Sequence, residues 1–318
     1  MKIRIAFAIT TSALAAVATA AEVYPARSIR LIVPFPPGGT VDISARSVAP
    51  ALTELLGQNV VVDNRGGAAG LIGADLAAKA APNGYTLVMG SNSTLSVAPS
   101  LHARSPYHPV RDFAPISMVG MTPFVLVVHP SVPAKTIRDF IALAKSKPNG
   151  LTMGSGGAGH LVGELFQTMT GTRFTHVPFQ GVGPASIALM GGHVDLIFDQ
   201  LTTSVGPIKS GKTRALAVCS KNRSTLVPEV PTMREAGVSN FEVTSITGML
   251  APAGTPADII DKLNAAIVKV LSLPATKERF AAIALETAPS TPAQFADYIR
   301  EDFARWTKVV KDANIKLE

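Results

Sequence analysis

The feature of this sequence that most restricts its fold is an alternation of short, apolar, β-branched runs with longer segments of helical period, starting at Ser28. Such an alternation is typical of α/β folds built on mostly parallel sheets. Residues 41–56 are one of the helical segments, because their apolar side chains recur on a single stripe. The predicted strands are residues 30–33, 60–62, 86–89, 124–128, 151–154, 174–177, 194–198 and 215–218.

The length of the chain predicts two lobes. Its 318 residues exceed what one hydrophobic core usually organises, and two lobes can enclose a ligand between them. Two apolar stretches, residues 116–128 and 243–251, fit two crossings between the lobes. They predict a first lobe of residues 22–122 and 247–318 and a second lobe of residues 123–246. A tandem division near residue 150 fits the same facts.

The N-terminus has the pattern of an export signal. Lys2 and Arg4 precede a short apolar run, and Ala18 and Ala20 provide the small-x-small form that signal peptidase cleaves. We therefore predict a signal peptide over residues 1–21 and a periplasmic mature chain. The single cysteine, Cys219, lies in an apolar segment and is expected to be buried.

Charge and motif content argue against several classes of function. The formal net charge is +7, but the basic residues are dispersed rather than interleaved with aromatic ones, so no nucleic-acid partner is expected. A diffuse positive field favours encounter with anionic solutes. The histidines lack metal-ligand spacing, and no nucleophile elbow or phosphate-binding loop is present. The sequence thus predicts no metal, no cofactor and no enzymatic activity.

The most informative local segment is PFPPGGTVD, residues 34–42, between a predicted strand and a predicted helix. Free N–H groups at a helix start, together with the helix dipole, form a site for an anion, and glycines let a ligand approach the backbone. Thr40 is the predicted N-cap. Asp42 either supports the helix start or faces the ligand. The candidate ligand-binding residues here are Phe35, Pro37, Gly38, Gly39, Thr40 and Asp42.

A second glycine-rich turn, GSGGAGH at residues 154–160, follows another predicted strand and opens another predicted helix. It matches G-x-G-x-x-G, but the region about 20 residues later carries no acidic residue to hold a ribose. The dinucleotide hypothesis therefore fails, whereas anion capture by backbone amides needs only the turn and the helix start. The candidate residues here are Ser155, Gly156, Gly157, Ala158 and His160.

Further polar groups follow other predicted strands and are candidates for the same cleft, although ordinary loop or capping chemistry fits them equally well. These are Ser91, Asn92, Ser93, Thr94, Gln180, Gly181, Asp199 and Gln200. A secreted hydrolase that uses Ser155 and His160 is an alternative function, but no third catalytic group is identifiable.

Several long segments in fixed order carry a resemblance, among them IRLIVPFPPGGTVD, VVVDNRGGAAGLIGAD, APNGYTLVMGS, GGHVDLIFDQ and LAPAGTP. From about Tyr24 to its end the chain resembles the Bug receptor family, the TctC-like solute-binding components of tripartite tricarboxylate transporters. The resemblance implies the two-lobe periplasmic-binding-protein (Venus flytrap) fold, in which each lobe is a mostly parallel sheet flanked by helices and two segments cross between the lobes.

The same resemblance implies that a small organic acid is gripped between the two glycine-rich turns and delivered to an integral-membrane permease by a monomeric receptor. A sensor that presents the solute to a signalling protein would use the same fold. The loop at residues 154–160 departs from the family pattern, because it is about two residues short. Two further departures bear on the ligand: Gln180 stands where the family often has Lys, and Ile246 or Thr247 replaces an aromatic residue common in the family. Losing a cation favours fewer negative charges on the ligand, and monocarboxylates, dicarboxylates and aromatic acids stay open.

Overall fold

The computed structural model describes residues 24–102 and 104–312, so the predicted signal peptide lies outside the described residues. The strands are β1 (Ile29–Val33), β2 (Val60–Asn64), β3 (Thr86–Ser91), β4 (Phe113–Val128), β5 (Thr152–Ser155), β6 (Thr175–Pro178), β7 (Leu196–Gln200), β8 (Arg214–Val218), β9 (Thr244–Pro252) and β10 (Glu286–Thr287). The helices are α1 (Thr40–Leu56), α2 (Leu71–Ala78), α3 (Ala98–Leu101), α4 (Ile137–Ser146), α5 (Gly159–Thr170), α6 (Val182–Met190), α7 (Leu201–Lys209), α8 (Ala257–Ser272), α9 (Pro274–Ala281) and α10 (Pro292–Asp312). Across this described part of the chain, every helix is too short or too polar to cross a membrane.

The strands form two lobes that share β4. In the first lobe β1 pairs in parallel with β2 and β3, and β9 pairs antiparallel with β3 and β4. In the second lobe β5 pairs in parallel with β6 and β7, and β4 pairs antiparallel with β7 and β8. The change of pairing partner falls in the middle of β4, because Pro123 pairs with Thr244 of β9 whereas Phe124 pairs with Gln200 of β7.

Helix α1 covers the sheet of the first lobe much as its apolar stripe predicts. Val41, Ala45, Val48, Ala49 and Leu52 are buried in the cluster that also contains the apolar side chains of β1. The apolar stripe also predicts a buried Leu55, and this prediction is wrong, because Leu55 is 39% exposed. The last turn of α1 runs past the cluster, and only the neighbouring Leu56 packs against it.

The C-terminal helix α10 packs on both lobes. Phe295 and Ile299 belong to the buried cluster that contains Ile246 of β9. About two turns after Ile299, Trp306 belongs to the cluster of the second lobe that contains Phe124. The apolar side chains of α10 therefore pack into the cores of both lobes, and α10 joins the lobes at a third place besides β4 and the segment that leads into β9.

Candidate ligand-binding site between the lobes

A cavity lies between the two lobes and is lined by both. The first lobe contributes Phe35, Pro36, Gly39, Thr40, Val41, Ser91 and Ser93; the second contributes Gly156, Ala158, Gly181, Val182, Gly183 and Gln200; and Ser245 comes from the crossing strand β9. None of these side chains is charged. The space between them, counted together with its solvent-open part, is ≈ 430 Å³.

The first glycine-rich turn leads β1 into α1 and exposes the start of that helix to the cavity. Gly38 has φ +89°, a left-handed conformation that favours glycine. The N-cap is Gly39, in an extended conformation, so Thr40 is the first helical residue and the predicted Thr40 cap is wrong. The physical reason is that Asp42 rather than Thr40 bonds the turn, and the Thr40 Oγ1 is left buried without a hydrogen-bond partner among the described residues.

Asp42 holds this turn in place from behind. Its carboxylate accepts hydrogen bonds from the Gly38 N–H at 3.0 Å, from Arg46 Nε at 2.9 Å and from Asn64 Nδ2 at 2.9 Å. Asn64 Nδ2 also donates to the Phe35 carbonyl at 3.0 Å. Burial alone would raise the pKa of Asp42, but these hydrogen bonds and the Arg46 charge outweigh burial and lower it. Asp42 is 3% exposed and lies outside the cavity lining, which fits the supporting role that the sequence left open.

The second glycine-rich turn leads β5 into α5 and reaches the cavity through Gly156 and Ala158. Gly157 has φ +94° and is suited to glycine. Gly156 lies directly against the Gly181 backbone, so that any Cβ at position 156 would clash with it. This close approach explains why the turn is rich in glycine.

A third backbone segment, the start of α6, faces the same cavity through Gly181, Val182 and Gly183. Gly181 was predicted from the sequence as a site residue, but the helix start that follows it was not. The available signal was Pro184 in the first helical turn, where proline is tolerated because the N–H it lacks has no helical partner. The starts of α1 and α6 therefore come from opposite lobes to one space.

The lobes touch across the cavity, and glycines make that contact possible. A Cβ on Gly39 would lie 3.6 Å from Val182 Cγ1, and one on Gly181 would lie 3.3 Å from Pro36 Cδ. A Cβ on Gly157 would lie only 2.7 Å from Ser93 Oγ. The structure is thus a closed form in which the turns of one lobe rest on those of the other.

The predicted site residues divide into two groups. Those that line the cavity are Phe35, Gly39, Thr40, Ser91, Ser93, Gly156, Ala158, Gly181 and Gln200. Those that lie outside the lining are Pro37, Gly38, Asp42, Asn92, Thr94, Ser155, Gly157, His160, Gln180 and Asp199. Their ligand contacts stay predictions. Several residues outside the lining, such as Asp42, Asn92 and Asp199, form hydrogen bonds that hold the turns and strand ends carrying the lining residues.

Asn92 illustrates this support. It follows β3, between the lining residues Ser91 and Ser93, but its side chain points into the protein. Asn92 Nδ2 donates to Asp302 of α10 at 2.9 Å, and Asn92 Oδ1 accepts the Ile246 N–H of β9 at 2.6 Å. It therefore ties the end of β3 to the crossing strand and to the helix that spans both lobes.

Asp199 at the end of β7 is fully buried. It accepts hydrogen bonds from the Gln200 N–H at 2.7 Å, from Thr203 Oγ1 at 2.8 Å and from Ser204 Oγ at 2.8 Å. Burial raises the pKa of Asp199 to about 6, although these three hydrogen bonds act in the lowering direction. Asp199 holds the start of α7 and orients the neighbouring Gln200, which does line the cavity.

The hydrolase hypothesis paired Ser155 with His160, and that pairing is wrong. Ser155 Oγ shares a 2.6 Å hydrogen bond with Nε2 of His176 on β6 instead. His160 stacks on His176 with ring centroids 3.9 Å apart. Burial and the nearby His160 lower the pKa of His176 to about 4. These contacts tie the two ends of the second glycine-rich turn, Ser155 and His160, to β6. Neither residue lines the cavity.

Gln200 and Ser245 complete the polar lining of the cavity. Gln200 was among the polar groups expected at the cleft, whereas Ser245 was not. Gln200 Nε2 lies 3.4 Å from Ser245 Oγ, and Gln200 Oε1 is buried without a hydrogen-bond partner among the described residues. The two positions are 45 residues apart in sequence, and only the packing of β7 beside the crossing brings them together.

Over the same described residues, no group of three or more His, Cys, Asp or Glu side chains could hold a metal ion.

Two α/β lobes, strands that cross between them and an uncharged cavity at their junction define a two-lobe solute-binding protein of the periplasmic type. Residues 44–315 match the family described as the tripartite tricarboxylate transporter family receptor. The chain belongs to this family, as the resemblance in its sequence predicted.

Individual relatives agree with this assignment along nearly their whole length. The chain is 41% identical over 314 residues to protein BugT of Bordetella pertussis (strain Tohama I), covering 98% of this chain and 96% of BugT. Its fold is similar to that of R. palustris Rpa4515 solved with adipate, with a TM-score of 0.89, 35% identity and coverage of 92% and 99%. It is also similar to the periplasmic binding protein BugD, with a TM-score of 0.88, 34% identity and coverage of 93% and 100%. The predicted two-lobe α/β fold is confirmed.

Proposed function

We propose that this receptor captures a small carboxylate in the cavity between its lobes and hands it, in the periplasm, to an integral-membrane permease of the tripartite tricarboxylate type. The observation that carries the proposal is the meeting of two helix starts, those of α1 and α6, from opposite lobes at one cavity whose lining has no charged side chain. Unpaired N–H groups at a helix start, with the positive end of its dipole, attract an anion.

This arrangement suits reversible capture. Each helix dipole contributes about 0.3–1 kcal/mol to anion binding, and a hydrogen bond to a charged group contributes about 1.5–3 kcal/mol. Several such bonds offset the cost of removing a carboxylate from water, without the tighter grip of a bidentate arginine. Opening the lobes separates the two sets of donors, which lets the solute leave. The binding of adipate by Rpa4515 supports an organic acid as the class of ligand.

The residues proposed to contact the ligand are the lining residues at the two glycine-rich turns, at the start of α6 and at Gln200. Asp42, Asn92 and Asp199 are proposed to position them. The proposed lobe boundaries are residues 22–122 with 247–318 and residues 123–246, and the change of pairing partner at Pro123 and Phe124 supports the first crossing. Export by the segment 1–21 is part of the same proposal.

Replacing Gly39 tests the site. Gly39 has an ordinary φ of −84°, and a side chain there would point at Val182 across the cavity, so Gly39→Leu should fold with a loss of about 1 kcal/mol at the helix cap and block the ligand. In a thermal-shift screen of organic acids, the mature wild-type protein should gain about 2.7 kcal/mol of stability from its solute at 100 times Kd. Gly39→Leu should lose that gain.

The control is Ala257→Leu, which adds the same side chain to the exposed first turn of α8. It should respond to the solute as the wild type does. If Gly39→Leu keeps the full stabilisation, the cavity is not the binding site and the proposal fails.

A further inference from the structure

The charges around the interlobe cavity limit what a bound acid can carry. No lining side chain is a cation. The buried charged residues that adjoin lining positions, Asp42 beside Val41 and Asp199 beside Gln200, are both acids. The nearby Arg46 is paired with Asp42 and points to solvent, with its side chain 53% exposed. A second carboxylate on the ligand would therefore be buried without a counter-charge, at an effective cost of several kcal/mol.

Two lining residues instead offer neutral hydrogen-bonding atoms. Thr40 Oγ1 of the first lobe and Gln200 Oε1 of the second are buried, and neither has a hydrogen-bond partner within the described part of the chain. Leaving such an atom unpaired is unfavourable. A side-chain amide can present either of its ends to a ligand. The Thr40 hydroxyl lies at the start of α1, where the carboxylate is proposed to bind. A neutral polar group at the other end of the ligand would pair Gln200 without adding charge.

The walls between these polar points are apolar and close together. Phe35, Val41, Ala158 and Val182 line the cavity, and Val182 lies close enough to Gly39 that a Cβ at position 39 would be 3.6 Å from Val182 Cγ1. A ligand therefore needs a short apolar middle part to fill the closed cleft.

From these three features we infer that the cavity selects short monocarboxylates that carry a neutral hydrogen-bonding group, such as an amide or a hydroxyl, at the end opposite the carboxylate. The inference rests on the proposed function, since the helix starts must take the carboxylate. It separates this chain from Rpa4515, which was solved with the dicarboxylate adipate, and it assigns the selection to Gln200.

Matched acids test the inference. For chains of three, four and five carbons, the half-amide, the diacid and the branched alkyl acid of the same shape have nearly equal size; succinamate, succinate and 4-methylpentanoate are the four-carbon set. Calorimetry at pH 7.5 with the mature protein should show, in at least one set, the half-amide binding at least tenfold more tightly than both others. If in every set the diacid or the alkyl acid binds as tightly as the half-amide, or if none of the nine acids binds, the inference is overturned.

The failure of this inference is distinguishable from failure of the proposed function. A diacid or alkyl acid that binds to the wild type and not to Gly39→Leu would keep the cavity as the carboxylate site and overturn only the selectivity. Binding of every acid that is unchanged in Gly39→Leu would overturn both.

Gln200→Met tests the assigned residue, because methionine keeps the length of the side chain and removes its hydrogen bonds. The half-amide should lose at least tenfold in affinity and the alkyl acid less than threefold. Gln58→Met, after the end of α1 and outside the cavity lining, is the control and should match the wild type for both acids. An unchanged affinity for the half-amide, or an equal loss for both acids, would remove Gln200 from the selection.

Discussion

Asp42 and Asp199 are buried carboxylates that adjoin the cavity from opposite lobes, and neither lines it. The two differ in how far hydrogen bonds compensate for burial. Asp42 gains the Arg46 charge as well as two neutral donors, so its pKa lies below the ordinary range. Asp199 has three neutral donors and no cation, so burial prevails and raises its pKa to about 6. Each holds a backbone turn whose neighbouring residues line the cavity.

The raised pKa of Asp199 predicts a pH-dependent contribution to stability. Its folded pKa of about 6 lies above its ordinary value of 3.8, so the contribution is complete below pH 3.8 and is lost as the pH rises through about 6. Asp199→Asn lacks this dependence. The difference in unfolding temperature, wild type minus variant, should therefore fall between pH 4 and pH 6.5 and be constant above pH 7.

His176 acts in the opposite direction over a similar range, because its folded pKa of about 4 lies below its ordinary value of 6.5. Its contribution is present above pH 6.5 and is lost as the pH falls toward 4. Both proteins retain His176, so this effect cancels in the comparison. A temperature difference that stays constant from pH 4 to pH 7 would contradict the assignment to Asp199.

Among the secondary-structure elements, local sequence pattern predicted what depends on local physics. The β-branched runs located β1, β2, β3, β5, β6, β7 and β8 to within about two residues, since such runs favour extended backbone. The predicted strand at 124–128 is only the second half of β4. The first half contains Gly120 and Pro123, and it stays in the sheet through two register shifts, at Pro115/Ser117 and at Met118/Gly120. Because such interruptions break the alternation of apolar and polar residues, hydrophobic periodicity does not predict this half of the strand.

The candidate site shows the same limit. Both glycine-rich turns could be selected because each one sits between a strand and a helix in the sequence. The pairing of Gln200 with Ser245 and that of Asn92 with Asp302, 45 and 210 residues apart, follow only from the three-dimensional packing. The periodicity of the sequence therefore does not predict these long-range contacts.

Helix α10 should be a major source of stability for the second lobe through Trp306, which is 4% exposed in its cluster. Trp306→Ala should lower the free energy of unfolding by about 3–5 kcal/mol, as truncation of a buried aromatic does. Trp306→Phe should cost less than half as much, because it keeps a ring and removes an indole N–H that has no partner among the described residues. Urea unfolding followed by far-UV circular dichroism measures both.

Ile187→Ala is the control for these variants, since Ile187 on α6 is 67% exposed. It should change the free energy of unfolding by about 0.5 kcal/mol or less. A Trp306→Ala protein as stable as the Ile187→Ala protein would show that α10 does not depend on this contact.

At the scale of the whole molecule, three segments join the lobes within residues 24–102 and 104–312: the middle of β4, the chain leading into β9, and α10. The proposed function requires the lobes to rotate as units about the first two crossings. The turns that meet across the cavity are rich in glycine, so main-chain groups rather than long side chains face the space between the lobes. The proposed binding site is therefore made from the backbone of two opposed lobes.

The most direct measurement is a crystal structure of the mature protein with the acid that a ligand screen identifies. We predict that the carboxylate lies between the lobes, with its oxygens about 2.7–3.2 Å from main-chain N–H groups at the start of α1 and of α6 or the 155–158 turn, directly or through one water. A carboxylate bound by an arginine or lysine side chain, or one lying away from Gly39, Gly156 and Val182, would contradict the account.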